Sequence, residues 1–135
     1  MYMSNEYKDW VSDLHTTFTE ECVKFDLPPP GWIKAFVPQM IDHLVKVLGP
    51  YTDNFVLLDA KEKYGTLRVY WTWKTGEYTP EEIEDMSELR KDIDKIITCY
   101  EHMSECTCYL CGNKTSYFSK KYEAPMCKTC EDKMR

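Results

Sequence analysis

Two pairs of cysteines near the C-terminal end supply the most specific chemistry in this sequence. Cys108 and Cys111 are separated by two residues, as are Cys127 and Cys130, and fifteen residues lie between the pairs. A C-x2-C turn aims two thiolates and its own backbone amides at one point, and two such turns complete a tetrahedron. Gly112 allows the tight turn behind the second sulfur. The spacing predicts a structural zinc ion held by Cys108, Cys111, Cys127 and Cys130 in a zinc ribbon or treble-clef-like knuckle. An iron–sulfur centre is the competing occupant. Residues 115–119 and Tyr122, between the pairs, are expected to form the short strands of the ribbon. Four protein ligands close such a site and leave no open position for a reacting water.

The other thiols and the histidines fit that chemistry less well. Only Cys108 has the two-residue spacing to Cys111, so Cys106 is expected as a spare thiol beside the site and Cys99 as helix packing. Cys22 falls on an apolar helical stripe and reads as a small core residue. His102 is close to the pairs in sequence but is not expected among the ligands, and His43 is expected to be exposed. Asp53 with Asp59 and Lys61 can be fitted to a nuclease-like pattern of carboxylates and lysine, but such triplets are common by chance. There is no P-loop, no Gly-x-Ser-x-Gly and no histidine placed for a Cys–His pair, so no enzyme is expected.

The element that must position the rest is the stretch from Phe55 to Trp73. Leu67, Val69, Trp71 and Trp73 alternate with Arg68, Tyr70 and Thr72, the period of a strand with one buried face. A four-residue turn over Glu62-Lys63-Tyr64-Gly65 would put Lys61 opposite Thr66 and Asp59 opposite Arg68. Val56, Leu58 and Ala60 would then meet Trp71, Val69 and Leu67 on the core face. Before this hairpin, Tyr7, Trp10, Val11, Leu14, Phe18, Cys22 and Phe25 predict a helix over 5–25, ended by Pro28-Pro29-Pro30-Gly31. A second helix is predicted from about Trp32 to Leu48, with a kink or restart at Pro38 and a stop at Gly49-Pro50. After the hairpin, Thr79-Pro80-Glu81-Glu82 forms a capping box. It opens a long third helix whose stripe runs through Ile83, Met86, Leu89, Ile93, Ile96, Ile97, Tyr100 and Met103. The fold class is α+β: an α+β body over 1–104, and a zinc-binding module over 105–135 packed on or following it.

Composition narrows the function classes. The 135 residues carry a formal charge of −6, unevenly spread. Residues 1–98 hold 11 Lys and Arg against 18 Asp and Glu, and residues 99–135 hold 6 against 5. An acidic body is unsuited to wrapping nucleic acid, because phosphate neutralisation dominates that affinity. No signal peptide is expected from the opening residues, and the longest apolar run, 55–58, is far too short for a membrane span. Seven cysteines then suggest metal binding in a cytoplasmic protein rather than disulfides.

Gly31-Trp32 ahead of a helix, the strand Lys61-Glu62-Lys63-Tyr64-Gly65-Thr66-Leu67-Arg68-Val69-Tyr70, Ser104, and the two cysteine pairs together resemble a family of small bacteriophage and bacterial proteins of unassigned function. Members share a KEKFGxLRFY-like strand and a C-terminal two-pair cysteine module. The resemblance spans about residues 31–130 and implies phage origin rather than a mechanism. This chain departs from it in Tyr64, where phenylalanine is usual, in Cys106, and in a longer N-terminal helix. The function expected first is a non-enzymatic binding protein with a structural zinc that engages or inhibits a host protein. Its acidic surface would capture a basic patch or imitate nucleic acid, with Tyr2, Tyr7, Tyr51 and Tyr78 offered at the interface. One alternative is nucleic-acid binding through the zinc module, by Lys114, Lys120, Lys121, Lys128, Lys133 and Arg135 with Tyr117, Phe118 and Tyr122 as stacking partners. Another is a nucleotide or small-molecule sponge gripping phosphate with Lys61, Lys63 and Arg68.

Overall fold

Proline placement shapes the first elements of the structure, a computed structural model that describes residues 28–134. The helix expected over 5–25, with Cys22, lies outside the described residues, as do Tyr2, Tyr7 and Arg135. Pro30 takes the first position of α1 (Pro30–Ala35), where its missing N–H costs nothing. Phe36 leaves helical geometry at φ −151°, and α2 (Val37–Leu48) restarts with Pro38 in its first turn. The predicted second helix is therefore two helices, because Pro38 cannot donate the bond that would continue α1. The apolar spacing of α2 buries Val37, Met40, Ile41, Leu44 and Leu48. Gly49, at φ 53°, ends it, and a 3-10 turn (Gly49–Asn54) leads into the sheet.

The hairpin joins β1 (Phe55–Lys63) to β2 (Thr66–Trp73) in an antiparallel pair. Its turn is Tyr64-Gly65, with φ 54° and 83°, and Lys63 pairs with Thr66. This corrects the expected four-residue turn. Two central residues at positive φ make the mirror-image turn whose twist matches that of the flanking strands. Relative to the expected register the strands slide by two residues near the turn, so Ala60 meets Val69 and Lys61 meets Arg68. A slide of two keeps every side chain on its own face. Further along, a bulge between Leu57 and Asp59 adds one residue and reverses the faces. Leu58 is turned out, 48% exposed, and Leu57 meets Trp71 instead. Asp59 accordingly lies opposite Tyr70, not Arg68, and its carboxylate pairs with Lys61 at 3.0 Å. Leu67 and Val69 are buried, as expected, and Trp71 stacks on Phe55 at 5.0 Å.

The third helix, α3 (Pro80–Ser104), begins with the capping box. Thr79 Oγ1 accepts from the Glu82 amide at 3.1 Å, and Glu82 accepts from the Thr79 amide at 2.9 Å. Met86, Ile93, Ile97, Tyr100 and Ser104 are buried against α2 and β2. Ile83, Met103 and Cys99 are exposed, which corrects their expected places on the stripe and in the packing. At about 100° per residue Ile83 and Met103 fall on the two edges of the buried face and Cys99 beyond it, so packing leaves them out. Its last turns close the free edge of β2. Glu101 accepts from the Val69 amide at 3.1 Å and Ser104 Oγ from the Leu67 amide at 2.9 Å. The core gathers around Trp32, Phe36, Leu44, Phe55, Leu67 and Ile93. No helix among the described residues is long and apolar enough to cross a membrane.

Candidate metal centre

The C-terminal segment contains too little apolar surface to hold itself together. Its own cluster is Cys108, Met126 and Cys130, with Tyr109, Leu110 and Tyr122 at the margin. The expected ribbon strands shrink to β3 (Phe118–Ser119) and β4 (Ala124–Pro125), and the chain ends in a short helix, α4 (Lys128–Lys133). Four sulfurs take the place of a larger core.

Each cysteine pair is built by local bonds. In the first, the Gly112 amide donates to the Cys108 carbonyl at 2.9 Å and the Cys108 amide to Asn113 at 2.8 Å. Gly112 stands at φ 83°, and the Asn113 amide points at Cys111 Sγ at 3.5 Å. In the second, Cys127 caps α4 and Cys130 sits in that helix's first turn. The Tyr109 amide donates to Pro125 at 2.9 Å, tying one pair to the other.

The geometry fits one metal ion. The four Sγ atoms of Cys108, Cys111, Cys127 and Cys130 lie within 4.8 Å of one another, and Cys111 and Cys127 are 3.7 Å apart. Four thiolates about 2.3 Å from a tetrahedral ion are about 3.8 Å from each other. A disulfide would need about 2.05 Å. All six described cysteines are free.

The electrostatics match that fit. Burial would raise the Cys108 thiol, but the amides of Cys111, Cys127 and Leu110 overcome it and bring its pKa down to about 7. Burial pushes Cys130 and Cys111 up. For Cys130 the neighbouring sulfurs add to the rise, and a charged Cys108 opposes a second thiolate beside it. A divalent cation among them removes that conflict by supplying the opposite charge. Cys106 and Cys99 are exposed outside the cluster, as is His102.

The centre is keyed into the body by close backbone contact. The Gly31 amide donates to the Tyr109 carbonyl at 2.8 Å, and Trp32 Nε1 donates to the Thr107 carbonyl at 3.0 Å in a buried bond. A Cβ on Gly31 would lie 2.6 Å from the Tyr109 carbonyl carbon and 2.7 Å from the Gly112 nitrogen. On the other side Gly65 faces Phe118, whose Cε2 is 2.5 Å from where a Cβ would be. Residues named above for their resemblance thus join the module to the body: Gly31 and Trp32 bond the segment of the first cysteine knuckle, Gly65 of the hairpin turn rests against Phe118, and Ser104 bonds Leu67 beside that turn. From the sequence, Gly31 ends a helix, Trp32 opens the next and the two together carry the resemblance, but neither is expected to touch the cysteine module. The available signal was a glycine with a large aromatic next to it after a rigid proline run.

The remaining candidates are placed as follows. Lys61 and Arg68 face each other across the hairpin, with Lys61 paired to Asp59, and Lys63 is exposed at the strand end. Asp53 is exposed in the 3-10 turn. Lys114, Lys120, Lys121, Lys128 and Lys133 are all exposed. No protein-family model, curated protein or solved structure matches the chain.

Proposed function

We propose that the protein is a non-enzymatic binding protein whose four cysteines hold a structural zinc. The observation that carries this reading is the convergence of four cysteine sulfurs, with the first knuckle held against α1. An ion held there by Cys108, Cys111, Cys127 and Cys130 has its coordination filled by protein, so its contribution is to folding. Zinc is the ion we assign, because it favours tetrahedral thiolate sets. The sulfur spacing suits one ion, whereas a multi-iron cluster would hold the thiolates further apart.

The partner is assigned as a protein with a basic patch. Trp73, Tyr78, Ile83, Met86 and Arg90 line an apolar groove of about 380 Å³ at the start of α3, and Ile83 is 57% exposed. The same turns carry exposed Glu81, Glu84, Asp85 and Glu88. An apolar floor beside one sign of charge suits a partner of opposite charge. By the resemblance, the chain is phage-encoded and the partner a host protein of the bacterial cytoplasm. Two measurements test the reading. Mass spectrometry of the purified protein should give one zinc per chain. Host proteins captured on the immobilised protein should be lost when Ile83→Ser is combined with Glu84→Gln. Sub-stoichiometric zinc, or capture indifferent to those changes, contradicts it.

A further inference from the structure

We infer that the seam between the hairpin turn and the cysteine module forms a second face, which binds single-stranded nucleic acid by stacking unpaired bases on its aromatics. Tyr117, Phe118, Lys120, Lys121 and Tyr122 line a groove of about 390 Å³ together with Glu131. That volume lies in the range of about 300–1,000 Å³ typical of ligand sites. Phe118 is 47% exposed although one side of its ring rests on Gly65. The carboxylate in the groove is already engaged, because Tyr117 donates its hydroxyl to Glu131 at 3.0 Å. Two lysines lie over tyrosine rings. Lys121 Nζ is 5.3 Å from the Tyr122 ring centroid and Lys128 Nζ is 5.1 Å from that of Tyr117.

The independent observation is Tyr64. It immediately precedes Gly65, the residue on which Phe118 rests, and it holds φ 54° with 81% of its surface exposed. A tyrosine in that conformation is strained, since this turn position favours Asn, Asp or Gly. Its exposure means that little packing compensates. Strain kept without packing marks a residue retained for what it presents. What this one presents is an aromatic ring at the module side of the hairpin, next to exposed Lys63. Aromatic faces interleaved with lysines are the chemistry of single strands, whose phosphates meet the cations while the bases stack. A duplex keeps its base faces covered and offers only the charge term.

Fluorescence anisotropy of the full zinc-bound chain tests this, using labelled oligothymidylate of about 15 nucleotides. A duplex of the same length and a polyglutamate peptide serve as the other arms. Binding should favour the single strand and fall with salt at a log–log slope of about −2, as expected for about three neutralised phosphates. Combining Lys120→Ala with Lys121→Ala should make that slope shallower by about 1.4. Phe118→Ala should weaken binding at least about fivefold. Tyr64→Gly should weaken it similarly while raising the unfolding midpoint, so a loss there cannot be laid to misfolding. The inference fails if the duplex or polyglutamate binds as well as the single strand. It fails equally if Tyr64→Gly binds like the parent chain, or if no single strand binds at low salt.

Discussion

Replacing Gly31 by alanine sets two physical effects against each other with opposite signs. Gly31 lies in the first turn of α1, and by helix propensity alone Gly→Ala is worth about 0.5–1 kcal/mol of added stability. Steric contact says the reverse. The new methyl would sit 2.6–2.7 Å from backbone atoms of Tyr109 and Gly112 and would also meet the Cys108 carbonyl, where ordinary contact begins at 3.4 Å. None of these atoms is the end of a flexible side chain, so the knuckle must move by more than 0.8 Å, the gap between 2.6 and 3.4 Å. That movement strains two hydrogen bonds, Gly31 to Tyr109 at 2.8 Å and Trp32 to Thr107 at 3.0 Å. Losing both, with buried groups left unpaired, costs about 2–6 kcal/mol. The net expectation is a loss of about 1–5 kcal/mol, out of a total stability of about 5–15 kcal/mol for a domain. Urea unfolding of the metal-loaded protein measures it, and the rate of metal transfer to a colorimetric chelator should rise in step. Gly49→Ala is the control. Unlike Gly31 it has a positive φ, 53°, but nothing lies within 4 Å of its Cβ position, so it should cost only the backbone term of about 1–2 kcal/mol. Gly31→Ala with unchanged or raised stability and unchanged metal release would refute the close packing of α1 on the knuckle.

Four further outcomes are expected. Cys106→Ser should keep one metal per chain, whereas Cys108→Ser or Cys130→Ser should lose it, as read by metal analysis after gel filtration. Stripping the metal with a chelator should leave four thiols reactive where the bound form protects them, and thermal unfolding should move down, because metal binding to a folded site contributes folding free energy. Ser104→Ala leaves the buried Leu67 amide without its acceptor and should cost about 1–3 kcal/mol. Hydrogen exchange at Leu67 should accelerate more than at Leu57 in the partner strand. Tyr64→Asn should stabilise the hairpin by up to about 1–2 kcal/mol, because Asn tolerates the left-handed conformation that tyrosine resists. An unfolding midpoint at or below that of the parent chain would contradict the strain assigned there.

The sequence by itself determined the features that are local. The capping box at Thr79 needs only four residues and one helical turn, and it forms as expected. The break at Pro38 follows from a missing donor. The α+β order follows from the change of apolar period from helix to strand and back. The grouping of the four cysteines follows from two short turns whose geometry their spacing implies, and the sulfurs converge. Tertiary structure decided what depends on several elements at once. The hairpin register turned on a two-residue turn and on a bulge that gives up Leu58 so that Leu57 meets Trp71. Alternation cannot reveal this, since a slide of two residues preserves the pattern and a bulge reverses it partway along the strand. Asp59 was thereby paired with Lys61 instead of Arg68. Exposure of Ile83, Cys99 and Met103 depended on which side of α3 the body packs, since they lie beside or beyond the face that carries Met86, Ile93, Ile97, Tyr100 and Ser104. Gly31 gained its role only when the cysteine knuckle came against it from nearly eighty residues away, because the absence of a side chain matters only where another backbone occupies its place.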